Sequence, residues 1–227
     1  MMFPNAAKGV KKIFTAEILS LIAAVLIIIA AVMALSAFGS IKGYEATQSN
    51  AAAAGAFASG FGMAIFSVGS LVLAILAFIF NIIGVVQSSR DESSFKIALY
   101  ALIAGIVFTC LGSVFENLKI GPLSGAMTAL ATVAELIVTL YVIQGIRLLA
   151  SRLNNREVDN QGQKIYMIIL IVLILRLIAN ILVAIFGGRF TTTLALSFYM
   201  ASIVLSLVQY IMYLVFLAKG KKMLAQN

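Results

Sequence analysis

Two apolar runs decide the fold: AMTALATVAELIVTLYVIQGI, Ala126–Ile146, and IYMIILIVLILRLIANILVAIF, Ile165–Phe186. Each is long enough to cross the hydrocarbon core of a bilayer as a helix, for which about 20 apolar residues are needed. Each also carries one charge, Glu135 in the first and Arg176 in the second. A charge at the bilayer centre costs at least ~2.5–3.5 kcal/mol on insertion scales, so such residues turn inward and find partners. Glu135 lies nine residues into its run, or about 14 Å at 1.5 Å per residue. Arg176 lies eleven residues before Gly187, or about 16 Å on the same rise. The two runs are consecutive and therefore antiparallel, so the charges fall at similar depths.

Side-chain spacing adds to this. Thr128, Thr132, Glu135 and Thr139 share one face of the fourth span, and Arg176, Asn180 and Gly187 share one face of the fifth, because spacings of three, four and seven return to the same side of a helix. A Glu135–Arg176 pair is the expectation, with Thr132, Thr139 and Asn180 meeting the remaining hydrogen-bonding groups. Such a pair serves either to fix helix register or to handle a solute or ion. Asn81 and Gln209 are further candidates for the same polar centre.

The rest of the chain has the same character. Of 227 residues 63% are hydrophobic and 11% charged, which excludes an ordinary soluble domain. The chain reads as all-α, a bundle of six transmembrane helices at about 17–38, 61–87, 95–116, 126–149, 165–187 and 193–218, forming a single integral membrane domain over 1–227. Ile18–Phe38 is too long for a signal-peptide core and reads as an uncleaved span.

Small and polar residues recur along the spans. They include Ala16, Ala23, Ala30, Ala34 and Ala37 in the first, and Ser67, Ser70, Ala74, Ala77, Asn81, Gly84 and Ser88 in the second. The third has Ala98, Ala101, Gly105, Thr109 and Gly112, and the sixth Ser202, Ser206, Gln209 and Tyr213. Small faces let helix backbones approach closely in lipid, where apolar contact alone drives little association. The segment 40–60 reads equally as a loop or as an early start of the second helix. Ser93 or Ser94 is the expected cap of the third helix, and Gly121-Pro122 the expected break before the fourth. Arg147 is expected to run its stem along its own helix toward the interface. The stretch 151–164 is the most polar in the chain and is expected in water.

Lysine and arginine are distributed unevenly. Lys8, Lys11, Lys12, Arg90, Lys96, Arg147, Arg152, Arg156, Lys164, Lys219, Lys221 and Lys222 fall on one side, against Lys42, Lys119 and Arg189 on the other. The positive-inside bias places both termini in the cytoplasm. It also accounts for the formal charge of +8 without nucleic acid. The setting expected is a cell (plasma) membrane of the bacterial inner-membrane kind.

Chemistry is narrowly bounded. The chain has no histidine and one cysteine, so Ser–His or Cys–His catalysis and histidine-ligated haem each lack a residue. Cys110, inside an apolar run, reads as inert packing. There is no phosphate-binding loop, metal-ligand cluster or paired catalytic carboxylate, so neither an enzyme nor a cofactor or metal is expected. Two functions fit: binding or transport of a small solute or ion through the polar centre, or a non-catalytic scaffold. A scaffold would dock a cytoplasmic protein or anionic lipid at the basic loops, where each basic residue near an anionic leaflet contributes about 1 kcal/mol.

Overall fold

A computed structural model describes the backbone of residues 2–47, 50–186 and 189–226 and, within these, all side chains except those of 39–47, 50–53, 56, 176, 177, 179–186, 189–200, 202 and 203. The order is α1 (Pro4–Thr47), α2 (Asn50–Ser88), α3 (Ser94–Asn117), α4 (Gly121–Arg152), α5 (Arg156–Phe186) and α6 (Arg189–Gln226). Among the described residues there is no strand, and six helices are long and apolar enough to cross a membrane. The chain is therefore an all-α, multi-pass membrane protein. Of the two readings of segment 40–60 the helical one holds, since α1 runs on to Thr47 and α2 starts at Asn50.

The helix ends differ from the sequence-based expectations for local reasons. α3 stops before Gly121-Pro122, because Lys119 takes a left-handed conformation (φ 58°). The amide of Ile120 then bonds the carbonyl of Phe115 at 2.9 Å, and that of Lys119 bonds Glu116 at 2.9 Å. This double closure satisfies the last carbonyls of a helix. Gly121-Pro122 instead opens α4, with proline in the first turn where its missing N–H is no loss. The same closure ends α4: Asn154 has φ 53°, and Asn155 and Asn154 bond Ala150 and Ser151 at 2.8 and 3.0 Å. Asn155 then caps α5 through its side chain, accepting from the Val158 amide at 3.1 Å. So the polar stretch 151–164 is a brief turn followed by the opening of a helix. Ser93 holds the capping position of α3, but makes no side-chain cap; its hydroxyl donates to Glu92 instead, at 3.2 Å.

The contacts group into two compact units, Lys12–Ile83 and Met1–Lys11 with Gly84–Asn227. The first is an antiparallel hairpin of α1 and α2. Leu26 lies against Gly69 and Met33 against Gly62, and Ser36 donates to Ser59 at 3.1 Å. Ala16, Ala23 and Ala30 are buried on α1, and Ser70 and Ala77 on α2. The seam thus keeps one residue in seven, the repeat of left-handed helix pairs. Ser67 and Ala74, expected on the same small face, are exposed, because a seam this narrow excludes positions three or four residues off the repeat.

In the second unit α3 and α4 pack antiparallel through the same repeat. Ala98, Gly105 and Gly112 are spaced by seven. A side chain at Gly105 would touch Ala134, and one at Gly112 would touch Met127 and Thr128. Cys110 is exposed on α3 rather than packed inside, because that seam runs along the face of Gly105 and Gly112. The largest fully buried side chains of this unit include Val10, Phe95, Ile146, Leu149, Ile165 and Phe216. These gather at the end that holds both chain termini. There Gly220 faces Ile146 and Val10, Gly145 faces the Phe95 ring, and Gly9 faces Gly84 and Ser88. Asp91 ties the chain's start into this end, accepting from Asn5 Nδ2 at 2.9 Å and the Ala6 amide at 2.8 Å. A carboxylate at a helix N-terminus satisfies an otherwise free amide and opposes the positive end of the dipole.

Candidate functional site: a cleft between α4 and α5

Gln144, Arg147 and Ser151 lie along one face of α4, at spacings of three and four. On α5, Asp159, Gly162 and Tyr166 repeat those spacings. Where the two faces meet there is a half-open cleft of about 490 Å³ lined by Gln144, Arg147, Leu148, Ser151, Asp159 and Tyr166. That volume is in the range of small-ligand sites, ~300–1,000 Å³.

Arg147 is held from two directions. Its stem crosses to α5 and fills the space a side chain at Gly162 would take, which would stand 2.5 Å from Cγ and 2.8 Å from Cδ. The stem therefore lies against α5, because Gly162 offers a groove and Asp159 an anion. Nε donates to Asp159 Oδ1 at 2.8 Å. The two side chains remain 28% and 35% exposed, so the pair is open to a ligand. Nε is the one guanidinium nitrogen bonded among the described residues, leaving Nη1, Nη2 and Asp159 Oδ2 available. Leu148 supplies an apolar wall.

Two further ion pairs brace this end. Arg152 Nη2 reaches Glu92 Oε2 at 2.8 Å, and the Glu92 side chain is 3% exposed. Oε2 has no aligned hydrogen bond, so the contact is charge on charge, while Oε1 accepts from Ser93. Lys219 Nζ lies 2.6 Å from Glu157 Oε1 on the surface. Its hydrogen bond and charge hold the Glu157 carboxyl below the ordinary carboxylate range. Glu157 stands before the apolar part of α5, in the stretch expected in water.

The residues expected at the polar centre are placed as follows. Glu135 and Thr132 are exposed on α4, and Thr139 is half-buried. The hydroxyls of Thr128, Thr132 and Thr139 donate to the carbonyls of Ser124, Thr128 and Glu135, four residues back, at 3.0, 3.0 and 3.2 Å. Their oxygens remain free to accept. The Glu135 carboxylate has no partner among the described residues. The side chains of Arg176 and Asn180 lie outside the described residues, so the expected pair does too. Gln209 is half-buried on α6. Asn81 belongs to the α1–α2 hairpin, where its Oδ1 is buried without a hydrogen bond.

The cleft was not anticipated as a site, although its signal is present in the sequence. The shared spacing of Gln144, Arg147 and Ser151 with Asp159, Gly162 and Tyr166 is legible once α5 is known to begin at Arg156. Comparison with known protein families, curated proteins and solved structures finds no match for the chain.

Proposed function

We propose that this multi-pass membrane protein is a non-catalytic binding protein that takes a lipid headgroup in the α4–α5 cleft, in the cytoplasmic leaflet of a cell (plasma) membrane. The half-used Arg147–Asp159 pair in an open cleft carries this reading. A guanidinium whose two terminal nitrogens have no bond among the described residues favours a tetrahedral oxyanion such as phosphate. The Leu148 wall suits a ligand with an apolar part. The basic residues of the same side add attraction to an anionic leaflet.

Native mass spectrometry of the protein extracted with total bilayer lipid tests this. The intact protein should retain bound phospholipid, and Arg147→Ala should retain about tenfold less, in line with losing charged hydrogen bonds of ~1.5–3 kcal/mol. Lys119→Ala, before the start of α4 and away from the cleft, should retain lipid normally. Equal retention by the Arg147 variant, or none by the intact protein, overturns the reading.

A second reading is favoured by one observation: Glu135 is an exposed carboxylate within an apolar span. Solute or proton passage would use Glu135, Arg176 and Asn180, with Thr132 and Thr139 as acceptors and Gln209 as a further polar contact. In liposomes, Glu135→Gln/Arg176→Gln should slow proton uptake about tenfold, equivalent to ~1.4 kcal/mol of barrier. Unchanged uptake, or none with the intact protein, removes this reading.

A further inference from the structure

We infer that the headgroup selected by the α4–α5 cleft is zwitterionic, an ethanolamine phosphate, with Arg147 taking the phosphate and Asp159 the ammonium. This rests on the cleft's being a ligand site, as proposed above. Arg147 and Asp159 bring opposite charges, so the two together contribute none. A purely anionic ligand would gain from Arg147 and be opposed by Asp159, a few ångströms away. Each partner nonetheless keeps an unused half. Nε of Arg147 is bonded to Oδ1 of Asp159, and among the described residues the terminal guanidinium nitrogens and Oδ2 carry no hydrogen bond. A ligand carrying both charges on a short tether engages both halves without breaking the bond between them.

The remaining lining agrees. Gln144 offers both a donor and an acceptor, and Ser151 and Tyr166 offer hydroxyls that do either. None adds charge, so the balance stays with the Arg147–Asp159 pair. The face of Tyr166 can also stabilise an ammonium group. Asp159 can accept N–H bonds from a primary ammonium, while a quaternary ammonium has none to give.

The test uses full-length protein in detergent micelles, titrated with short-chain phospholipids. Phosphatidylethanolamine should bind about tenfold more tightly than phosphatidylglycerol, which has the phosphate without the ammonium, and more tightly than phosphatidylcholine, which lacks N–H donors; tenfold is the size of one modest charged contact. Asp159→Asn keeps an acceptor for Nε and removes the charge. It should abolish or reverse the preference for ethanolamine over glycerol, while Asp159→Glu keeps it. Free phosphoethanolamine separates the sources: binding as tight as the lipid's identifies a soluble zwitterion, and weaker binding identifies the lipid headgroup.

Phosphatidylglycerol bound as tightly as phosphatidylethanolamine by the intact protein overturns the zwitterion assignment, and leaves headgroup binding standing. A preference that survives in folded Asp159→Asn overturns it equally. Saturable binding of none of the four probes overturns both.

Discussion

Gly9→Ala is expected to lower the stability of the protein by about 2–3 kcal/mol, the upper part of the range for overpacked sites. A methyl group there would collide with Ser88 Oγ and the Gly84 carbonyl oxygen, and stand 2.7 Å from the Ser88 amide nitrogen. Two of those three atoms are backbone, so no rotamer change relieves the contact. The start of α1 must move away from the end of α2, and the core around Val10 loosens with it. Helix propensity acts the other way, since alanine is favoured over glycine by ~1 kcal/mol in a helix interior. The clash wins because it involves main chain on both sides. Gly60→Ala is the matched control: among the described residues nothing lies within 4 Å of the added methyl, so propensity acts alone and stability should hold or rise. Thermal unfolding in detergent should place Gly9→Ala about 5 °C or more below the parent, using ~2–4 °C per kcal/mol for a chain of this size. Equal melting of the two variants would sink the close-approach account.

The second large effect is expected from Arg152→Met. Glu92 is nearly inaccessible, with 3% of its side chain exposed, while Arg152 is 54% exposed. Removing the arginine strands a buried carboxylate, which costs ~3–5 kcal/mol where both partners are buried. Arg152 is half in solvent, so its attraction is partly screened and about 2–3 kcal/mol is expected. The diagnostic comparison is the double variant Glu92→Leu/Arg152→Met. With no charge left to desolvate, it should be more stable than Arg152→Met alone. Equilibrium unfolding of the two variants with the parent decides this. A harmless Arg152→Met, or a double variant less stable than the single, would show that the pair does not control packing at this end.

These two sites lie at the end holding the chain termini, where Phe95, Ile146, Leu149 and Phe216 are buried. In the sequence the emphasis falls elsewhere, near the midplane, because a lone charge in an apolar run is the strongest signal a membrane sequence gives. Burial of an apolar residue among apolar residues carries no such contrast. Nothing local distinguishes Phe95 or Leu149 from the lipid-facing leucines and isoleucines around them. Gly9 was invisible for the same reason: its role depends on a backbone 75 residues later in the chain.

Six apolar runs, most of them separated by short polar turns, were sufficient to determine helices, their number and the membrane as their solvent, since the bilayer leaves backbone groups few ways to be satisfied. The seven-residue repeat of Ala16, Ala23 and Ala30, or of Ala98, Gly105 and Gly112, was equally written in the sequence as a packing seam. Only the tertiary structure decided which groups meet across helices. It set Arg147 against Gly162 and Asp159, and among the described residues it buried Glu92 rather than Asp91, Glu157 or Asp159. Such choices depend on the rotation and register of neighbouring helices, which residue type and spacing along one helix do not specify.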